Sequence, residues 1–199
     1  MTPVLRTLAA AAALTLAGGA AHAACDVEKS GWDLTPEEAL AVYDCLEADL
    51  VAGYQTGAKR WIPEEIVANY RYWAQASTAP QAPGMHSGRF LMTFVNAVGA
   101  QQYMEYSEDF PEMPEGSILV KESFSVSDEG GVTPGPLFIM QKAADGTSPE
   151  TDDWFYMMVS AEGRPQGINV MSACHDCHMG FDYQGSMGYP VPEVRVMNP

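Results

Sequence analysis

The chain has 199 residues, of which 47% are hydrophobic, and 26 acidic residues outnumber 10 basic ones to give a net charge of −16. This length is sufficient for one domain with a sizeable hydrophobic core. The acidic balance excludes an ordinary nucleic-acid or anionic-membrane binding surface, because binding to phosphates requires clustered Lys and Arg. Four cysteines are too few for a disulfide-dense scaffold. The composition therefore indicates a small acidic globular protein and leaves four cysteines to explain.

Residues 1–23 have the pattern of a secretory signal peptide. Arg6 provides the positive start, residues 8–17 are almost all apolar, and Ala21-His22-Ala23 has the small-x-small form of a cleavage site. The apolar run is too short for an ordinary membrane span, and no later run reaches the roughly 18 apolar residues that a span needs. Cleavage before Ala24 leaves 9 basic and 26 acidic residues, a net charge of −17. We therefore expect export to the periplasm.

Export makes disulfide bonds permissible. Cys25 and Cys45 are the natural pair, because the other two cysteines, Cys174 and Cys177, belong to a C-x-x-C-H motif near the C-terminus. Closing a loop of about 20 residues stabilises a fold by about 3 kcal/mol in the chain-entropy model. Two alternatives stay open. Both cysteines can be buried free thiols, or Cys25 can carry a lipid anchor, which is disfavoured because His22 stands where a lipoprotein signal has an aliphatic residue.

Two helices are predicted in residues 24–80. The first begins at Thr35-Pro36-Glu37-Glu38, which combines an N-cap hydroxyl, a proline at the first helical position and acids in the first turn. Its apolar residues recur at helical spacing to about Gly53. The second helix begins near Pro63 and fades into a linker at 77–80.

From Gly88 onwards the pattern changes to short runs of Phe, Val, Ile, Met and Tyr separated by turn residues. These runs predict strands at 89–96, 117–126, 136–143 and 154–160, with a short helix within 97–106. We therefore expect one α+β domain over residues 24–199. Its helical part is 24–80, and residues 81–199 form an antiparallel sheet of four to five strands and a short C-terminal helix.

The C-terminal helix carries Cys174-His175-Asp176-Cys177-His178, a C-x-x-C-H motif. On a short helical turn, the sulfur atoms at positions i and i+3 lie on one side, where they can add to the two vinyl groups of a haem. The next residue is then placed to bind the iron. The motif predicts one covalent haem c, attached through Cys174 and Cys177, with His178 as the metal ligand.

Two other uses of the motif stay open but are less favoured. A thioredoxin-like redox pair lacks the surrounding βαβ pattern. A zinc site needs a fourth ligand, and His86 is the only unused histidine of the mature chain besides His175.

The late position of the motif bears on the sixth iron ligand. Small electron-transfer cytochromes usually carry the motif near the N-terminus and an axial methionine far downstream, whereas only 21 residues follow His178 here. Met179 is adjacent to the proximal ligand and cannot reach the opposite face, which leaves Met187 and Met197. An open sixth position that binds small molecules is the favoured prediction.

The order of strands and haem motif resembles the cytochrome P-460 family, which includes the cytochrome c′-beta proteins. The matching stretches lie between residues 65 and 199, and they are 88–96, 114–122, the strand with Phe138 and Met140, the strand at 154–156, and the haem motif followed by Tyr189-Pro190. The helical cytochromes c′ also have a late motif, but a strand-rich chain does not fit their four-helix bundle. The resemblance implies a periplasmic, mostly β, often homodimeric protein with a five-coordinate haem.

The resemblance also implies roles for three charged residues. Family members that oxidise hydroxylamine have a lysine bonded to the porphyrin within a Gly-x-x-x-Val-Lys-Glu strand, and the matching residue is Lys121. A family arginine aligns with Leu91, and Arg89 lies two residues away on the same strand face. Asp182 matches a carboxylate four residues after the haem histidine that can accept a proton from hydroxylamine. Each of the three also fits an ordinary surface charge.

The resemblance leaves three functions open. The first is hydroxylamine oxidation with an outside electron acceptor, and the second is binding of nitric oxide without turnover. The third is plain electron transfer, with Met187 or Met197 as the sixth ligand. The charge of the mature chain would attract a basic cytochrome as the acceptor.

Overall fold

The structure is a computed structural model that describes residues 25–168 and 171–197. The predicted signal peptide lies outside these residues. In the described part of the chain, no helix is both long and apolar enough to cross a membrane.

The first predicted helix is confirmed as α1, Pro36–Gln55. Its start is fixed by a capping box, in which the Thr35 hydroxyl accepts a hydrogen bond from the Glu38 backbone N–H and the Glu38 carboxylate accepts one from the Thr35 N–H. A disulfide between Cys25 and Cys45 joins the segment before α1 to the middle of the helix.

The second predicted helix is shorter than the pattern indicates. Helix α2 covers Glu64–Asn69, and a 3-10 turn follows at Tyr70–Tyr72. The next residues form strand β1, Ala74–Gln75, which pairs with the first long strand. Tertiary pairing thus overrides the local helical pattern, and the sheet begins before residue 81.

Within the described residues, seven strands form one antiparallel sheet in the order β1-β2-β3-β5-β6-β7, with β4 also paired to β3. The strands after β1 are β2 Phe90–Val95, β3 Ile118–Val126, β4 Val132–Pro134, β5 Leu137–Lys142, β6 Trp154–Val159 and β7 Pro165–Ile168. The four predicted strands are present as β2, β3, β5 and β6. The predicted total of four to five is too low because β1, β4 and β7 are too short to show an alternating pattern.

The part of the chain that the structure describes has three further, short α-helices. They are α3 Met85–Gly88, α4 Ala100–Tyr103 within the predicted range 97–106, and α5 Met171–His178. The predicted short C-terminal helix with the C-x-x-C-H motif is α5. The fold class is therefore α+β, as expected.

The two faces of the sheet pack against different parts of the chain. One face forms a core with α1 and α2 that includes Leu46, Phe90, Phe94, Val120 and Phe124. The other face packs against the C-terminal segment in a second core that includes Val95, Leu119, Met140, Met187 and Tyr189. The C-terminal segment with the haem motif thus lies on the sheet face opposite the two N-terminal helices.

The first core contains a buried charge that the sequence does not reveal. The carboxylate of Glu122 on β3 accepts hydrogen bonds from the hydroxyls of Tyr43 and Tyr70 and forms an ion pair of 3.2 Å with Arg71. Burial raises the pKa of Glu122, against the opposing effect of Arg71 and the two hydroxyls. This network ties α1 and the 3-10 turn to the centre of the sheet.

Candidate haem site

A cavity of about 880 Å³ lies between the second sheet face and the C-terminal segment. Its volume is within the range of about 300–1,000 Å³ that is typical of ligand and cofactor pockets. Apolar side chains from four strands form much of its wall, namely Leu91, Leu119, Phe138, Met140 and Met158. An apolar cavity of this size can hold a large flat ligand.

Helix α5 places both motif cysteines on this cavity. Cys174 and Cys177 line the cavity, and both are free thiols. They are three residues apart on the helix, so their sulfur atoms lie on one side of it. Two free thiols with this spacing on an apolar cavity fit thioether attachment of one haem.

His178, the last residue of α5, is buried and also lines the cavity. Its Nδ1 donates a hydrogen bond to the carbonyl oxygen of Ser186, at 2.7 Å. Burial and the nearby charge of Lys121 lower the pKa of His178 to about 4. The ring is therefore neutral at neutral pH with its proton on Nδ1, and Nε2 is left to bind a metal.

The remaining motif histidine does not line the cavity. Nδ1 of His175 lies 3.0 Å from the hydroxyl of Tyr156 on β6, and this contact helps to hold α5 against the sheet. Within the described residues, no group of three His, Cys, Asp or Glu side chains is arranged to hold a metal ion. The zinc alternative therefore has no support from the structure.

Lys121 on β3 is buried and lines the cavity, with 8% of its surface exposed. Its amine donates a hydrogen bond of 2.8 Å to the carbonyl oxygen of Gly188. Burial lowers the pKa of Lys121 to about 8. The alternative of an ordinary surface lysine is wrong, because the C-terminal segment covers this face of β3.

Arg89 and Asp182, the other two predicted charged residues, lie in different environments. Arg89 lines the cavity together with Leu91, and its Nη1 donates a 2.9 Å hydrogen bond to the carbonyl oxygen of His86. Asp182 is exposed, its carboxylate accepts a hydrogen bond from the Tyr183 N–H, and it is not among the described residues that line the cavity. Its position gives the predicted proton-accepting role no support.

One carboxylate does line the cavity in the described part of the chain, and sequence reasoning missed it. Glu162, in the turn after β6, lines the cavity, although its side chain is largely exposed. It accepts a hydrogen bond of 2.8 Å from Ser160. Nothing in the local sequence distinguishes Glu162 from a surface acid, because its placement depends on how the β6–β7 connection packs.

The late methionines lie away from the cavity. Met187 is fully buried in the second core, and Met179 and Met197 are exposed. None of the three is among the described cavity-lining residues. The structure therefore gives no support to Met187 or Met197 as a sixth ligand.

His86 is a cavity residue that sequence analysis considered only as a spare zinc ligand. Its ring centroid lies 6.2 Å from that of His178 and 4.5 Å from that of Phe138. Nδ1 of His86 is buried and has no hydrogen-bond partner among the described residues. Burial, followed by the nearby charge of Lys121, lowers the pKa of His86 to about 3. The sequence offers one sign that His86 belongs to the site: besides His175, it is the only histidine of the mature chain without a predicted role.

The family assignment agrees with this geometry. A sequence model of the cytochrome P460 family matches residues 67–184, more than half of the chain. The matched range includes the whole sheet and α5 with its motif. A comparison with curated proteins returns no match. The chain belongs to the cytochrome P460 family, whose members are c-type cytochromes with covalently bound haem.

Proposed function

We propose that this protein is a periplasmic c-type cytochrome with one haem, which binds hydroxylamine or nitric oxide and oxidises hydroxylamine. The observation that carries this proposal is the convergence of Cys174, Cys177, His178 and Lys121 on one largely apolar cavity. The first three residues suit covalent haem attachment and iron ligation. The fourth is the residue that, in the family resemblance, distinguishes hydroxylamine-oxidising members.

The attachment residues have separate roles in this proposal. Cys174 and Cys177 form the thioethers, and His178 binds the iron through Nε2 while Ser186 holds its Nδ1. Ser186 is itself positioned, because its hydroxyl donates a 2.8 Å hydrogen bond to the Asp152 carboxylate. A bound haem supplies an iron that binds nitrogen ligands and changes oxidation state.

Lys121 favours the hydroxylamine-oxidising version. Its pKa of about 8 leaves part of the amine neutral near neutral pH, and a neutral amine can act as a nucleophile. Its side chain reaches the cavity from the centre of the sheet, where it is held by the Gly188 carbonyl oxygen. We propose that Lys121 lies against the porphyrin and is bonded to it by a C–N bond that replaces one amine N–H bond and one porphyrin C–H bond, with two protons released and two electrons passed to an outside oxidant.

Protons and electrons released from hydroxylamine need routes out of the cavity. Glu162, the carboxylate on the described cavity wall, is exposed enough to pass a proton to solvent. Electrons pass to an outside acceptor, and a basic cytochrome is the partner that the negative charge of the chain favours. We also propose a homodimer, on the family resemblance, which light scattering of the purified protein tests.

A second function is binding of nitric oxide without turnover. The apolar walls favour it, because a neutral diatomic gas needs no charged partner in an apolar pocket. In this version Lys121 carries no haem bond.

One set of spectra separates these functions. The full chain is produced in the periplasm of a host with c-type haem maturation, and oxidised and reduced spectra are recorded before and after addition of hydroxylamine or nitric oxide. We expect both ligands to change the spectrum, hydroxylamine to reduce an added acceptor, and the Soret band to be red-shifted by the lysine bond. A change with nitric oxide but no turnover of hydroxylamine supports the second function. A haem that responds to neither ligand contradicts both.

A further inference from the structure

We infer that Asp152 is a positioning residue for the iron ligand, and that it sets the reduction potential of the haem through Ser186 and His178. This inference rests on the proposed haem site, in which His178 binds the iron. Asp152 is not among the described residues that line the cavity. A series of hydrogen bonds, with a strained residue in its middle, joins its carboxylate to the His178 ring.

The first hydrogen bond of the series holds the imidazole ring. Nδ1 of His178 donates it to the carbonyl oxygen of Ser186, at 2.7 Å. Ser186 is fully buried, so water does not compete for this oxygen. A hydrogen bond of this kind fixes the orientation of a metal-binding histidine and raises its basicity. The position of the Ser186 carbonyl oxygen therefore bears on how strongly Nε2 of His178 donates electrons to the iron.

The backbone of Ser186 has a conformation that serine rarely adopts. Its φ angle is 60°, in the left-handed region, and it directly follows Gly185 at 64°. Glycine takes this conformation without steric cost, whereas the Cβ of serine opposes it. Such a conformation persists only where the surroundings hold it. Because the direction of a carbonyl group follows the backbone angles of its residue, the contacts that hold Ser186 also aim its carbonyl oxygen at His178.

The chain around the start of β6 supplies these contacts. The Asp152 carboxylate accepts a 2.8 Å hydrogen bond from the Ser186 hydroxyl. A carboxylate accepts a stronger hydrogen bond than a neutral oxygen does. Trp154, the first residue of β6, donates a 3.1 Å hydrogen bond from its indole nitrogen to the Gly185 carbonyl oxygen. Two consecutive residues of the C-terminal segment are thus held from one side, and Asp152 is the residue that holds Ser186.

The loop before β6 presents the Asp152 carboxylate in a fixed position. Asp152 and Asp153 have φ angles of 50° and 57°, and aspartate is one of the few residues besides glycine that tolerate this region. The Asp153 carboxylate accepts hydrogen bonds from the backbone N–H groups of Gly146 and Ser148, at 2.9 and 2.6 Å. Asp153 therefore closes the loop on itself, whereas Asp152 reaches out of the loop to the C-terminal segment.

The test compares holoproteins in which one hydrogen bond of the series is removed. Asp152→Gly removes the carboxylate at a position whose φ angle suits glycine, and Ser186→Ala removes the hydroxyl but keeps a Cβ. We expect both to weaken the hydrogen bond at Nδ1 of His178, and a less basic imidazole stabilises ferric iron less. The relative affinity for ferric over ferrous iron should fall at least about threefold, which raises the potential by about 28 mV at 59 mV per tenfold change. The iron–histidine stretching band in the resonance Raman spectrum of the ferrous protein should move to lower frequency.

Conservative variants separate positioning from charge and from loop flexibility. Asp152→Asn keeps an oxygen that can accept the Ser186 hydrogen bond, and Ser186→Gly lacks the hydroxyl but suits the left-handed conformation. Asp145→Gly makes the same substitution at an exposed position of the same loop. All three should retain the wild-type potential and stretching band. Equal shifts in Ser186→Gly and Ser186→Ala, or in Asp152→Asn and Asp152→Gly, would overturn the inference.

Urea unfolding of the same proteins provides the readout for a purely structural role. If Asp152→Gly is less stable but keeps the wild-type potential and stretching band, the inference is wrong and the haem site stands. A wild-type protein without covalent haem overturns both the inference and the proposed haem site. If Asp152→Gly does not accumulate, the comparison of Ser186→Ala with Ser186→Gly decides the question.

Discussion

Lys121 and Glu122 are consecutive residues of β3, and their buried side chains lie on opposite faces of the sheet. The Lys121 amine donates a hydrogen bond to the Gly188 carbonyl oxygen at the cavity, whereas the Glu122 carboxylate lies in the core beneath α1. One strand thus carries one buried charge toward the candidate haem site and another toward the structural core. Substitutions at the two positions should therefore have separable effects, the first on chemistry and the second on stability.

Replacing Lys121 with methionine should remove hydroxylamine oxidation while leaving the haem attached. Methionine retains the length and apolar character of the side chain but has no amine to bond to the porphyrin. We expect hydroxylamine-dependent reduction of an acceptor to fall at least about tenfold, a loss of more than ~1.4 kcal/mol of transition-state stabilisation. Nitric oxide should still bind.

Peptide mapping by mass spectrometry gives the direct readout for Lys121. In the wild type, the peptide with Lys121 should remain joined to the haem peptide, and in Lys121→Met the two should separate. Lys142→Met is the matched control, because Lys142 lies on the neighbouring strand β5 and does not line the cavity. Equal activity in Lys121→Met and Lys142→Met would contradict the role of Lys121.

Replacing Glu122 with glutamine should destabilise the fold. At acid pH the Glu122 carboxyl is protonated, so the variant differs from it in the hydrogen bonds: the amide nitrogen replaces one of the two oxygens and cannot accept a tyrosine hydrogen bond. We expect a loss of about 1–3 kcal/mol in the free energy of unfolding at acid pH, measured with urea. Glu47→Gln is the control, because Glu47 contacts Arg71 from a more exposed position and should cost less than about 1 kcal/mol.

The pH dependence of that loss follows from the raised pKa of Glu122. Its pKa in the folded protein lies above the usual 4.5, so the folded state holds this proton more tightly than the unfolded state does. The contribution of Glu122 is therefore fully present below pH 4.5 and declines as the pH rises through the folded pKa. The stability advantage of the wild type over Glu122→Gln should shrink as the pH rises, and an advantage that grows with pH would contradict this account.

The strands, α1 and the haem motif were predictable because each rests on local sequence. The residues that form each pattern lie within a few positions of one another. These patterns are the Thr35 capping box, the alternation in β2, β3, β5 and β6, and the spacing of Cys174 and Cys177. The short strands β1, β4 and β7 were missed because two to four residues carry no periodic signal. Local sequence therefore predicted the long elements and the attachment site but not the number of strands.

The burial of Lys121 and the position of His86 depend on contacts that are distant in sequence. Alternation placed Lys121 on a polar face with Ser123, and only the packing of residues near Gly188 shows that this face is covered. His86 meets His178 across the cavity from a turn 92 positions earlier in the sequence. Contacts between residues so far apart in the sequence leave no local pattern. The sequence therefore identifies the lysine and the histidines as candidates but does not show that they lie close together in space.

The Cys25–Cys45 disulfide should stabilise the protein without affecting the haem. Replacing both cysteines with serine should lower the free energy of unfolding by about 3 kcal/mol. The loss is limited because a second contact still holds the segment before α1 to the sheet. In this contact the Asp26 carboxylate accepts a 2.7 Å hydrogen bond from the Val132 N–H on β4. Urea unfolding of the variant and of the reduced wild type should agree, since thioether bonds to haem resist mild reductants. A variant as stable as the oxidised wild type would contradict this prediction.

The acidic charge should steer a basic electron acceptor but not a neutral ligand. The full chain carries a net charge of −16. When salt rises from about 0.01 M to about 0.1 M, the Debye length falls from about 30 Å to about 10 Å. The rate of electron transfer to a basic cytochrome, measured by stopped flow, should then fall at least about tenfold, whereas nitric oxide binding should not change. Equal salt dependence of the two rates would contradict this prediction.

The central claim is that Cys174, Cys177 and His178 hold one haem in the cavity beside Lys121. Its most direct test is the intact mass of the protein purified from the periplasm of a haem-maturing host, compared with a variant in which both motif cysteines are alanine. The account predicts a wild-type mass that includes one haem and survives denaturation, and a variant mass without it. A wild-type mass equal to that of the polypeptide alone would contradict the account.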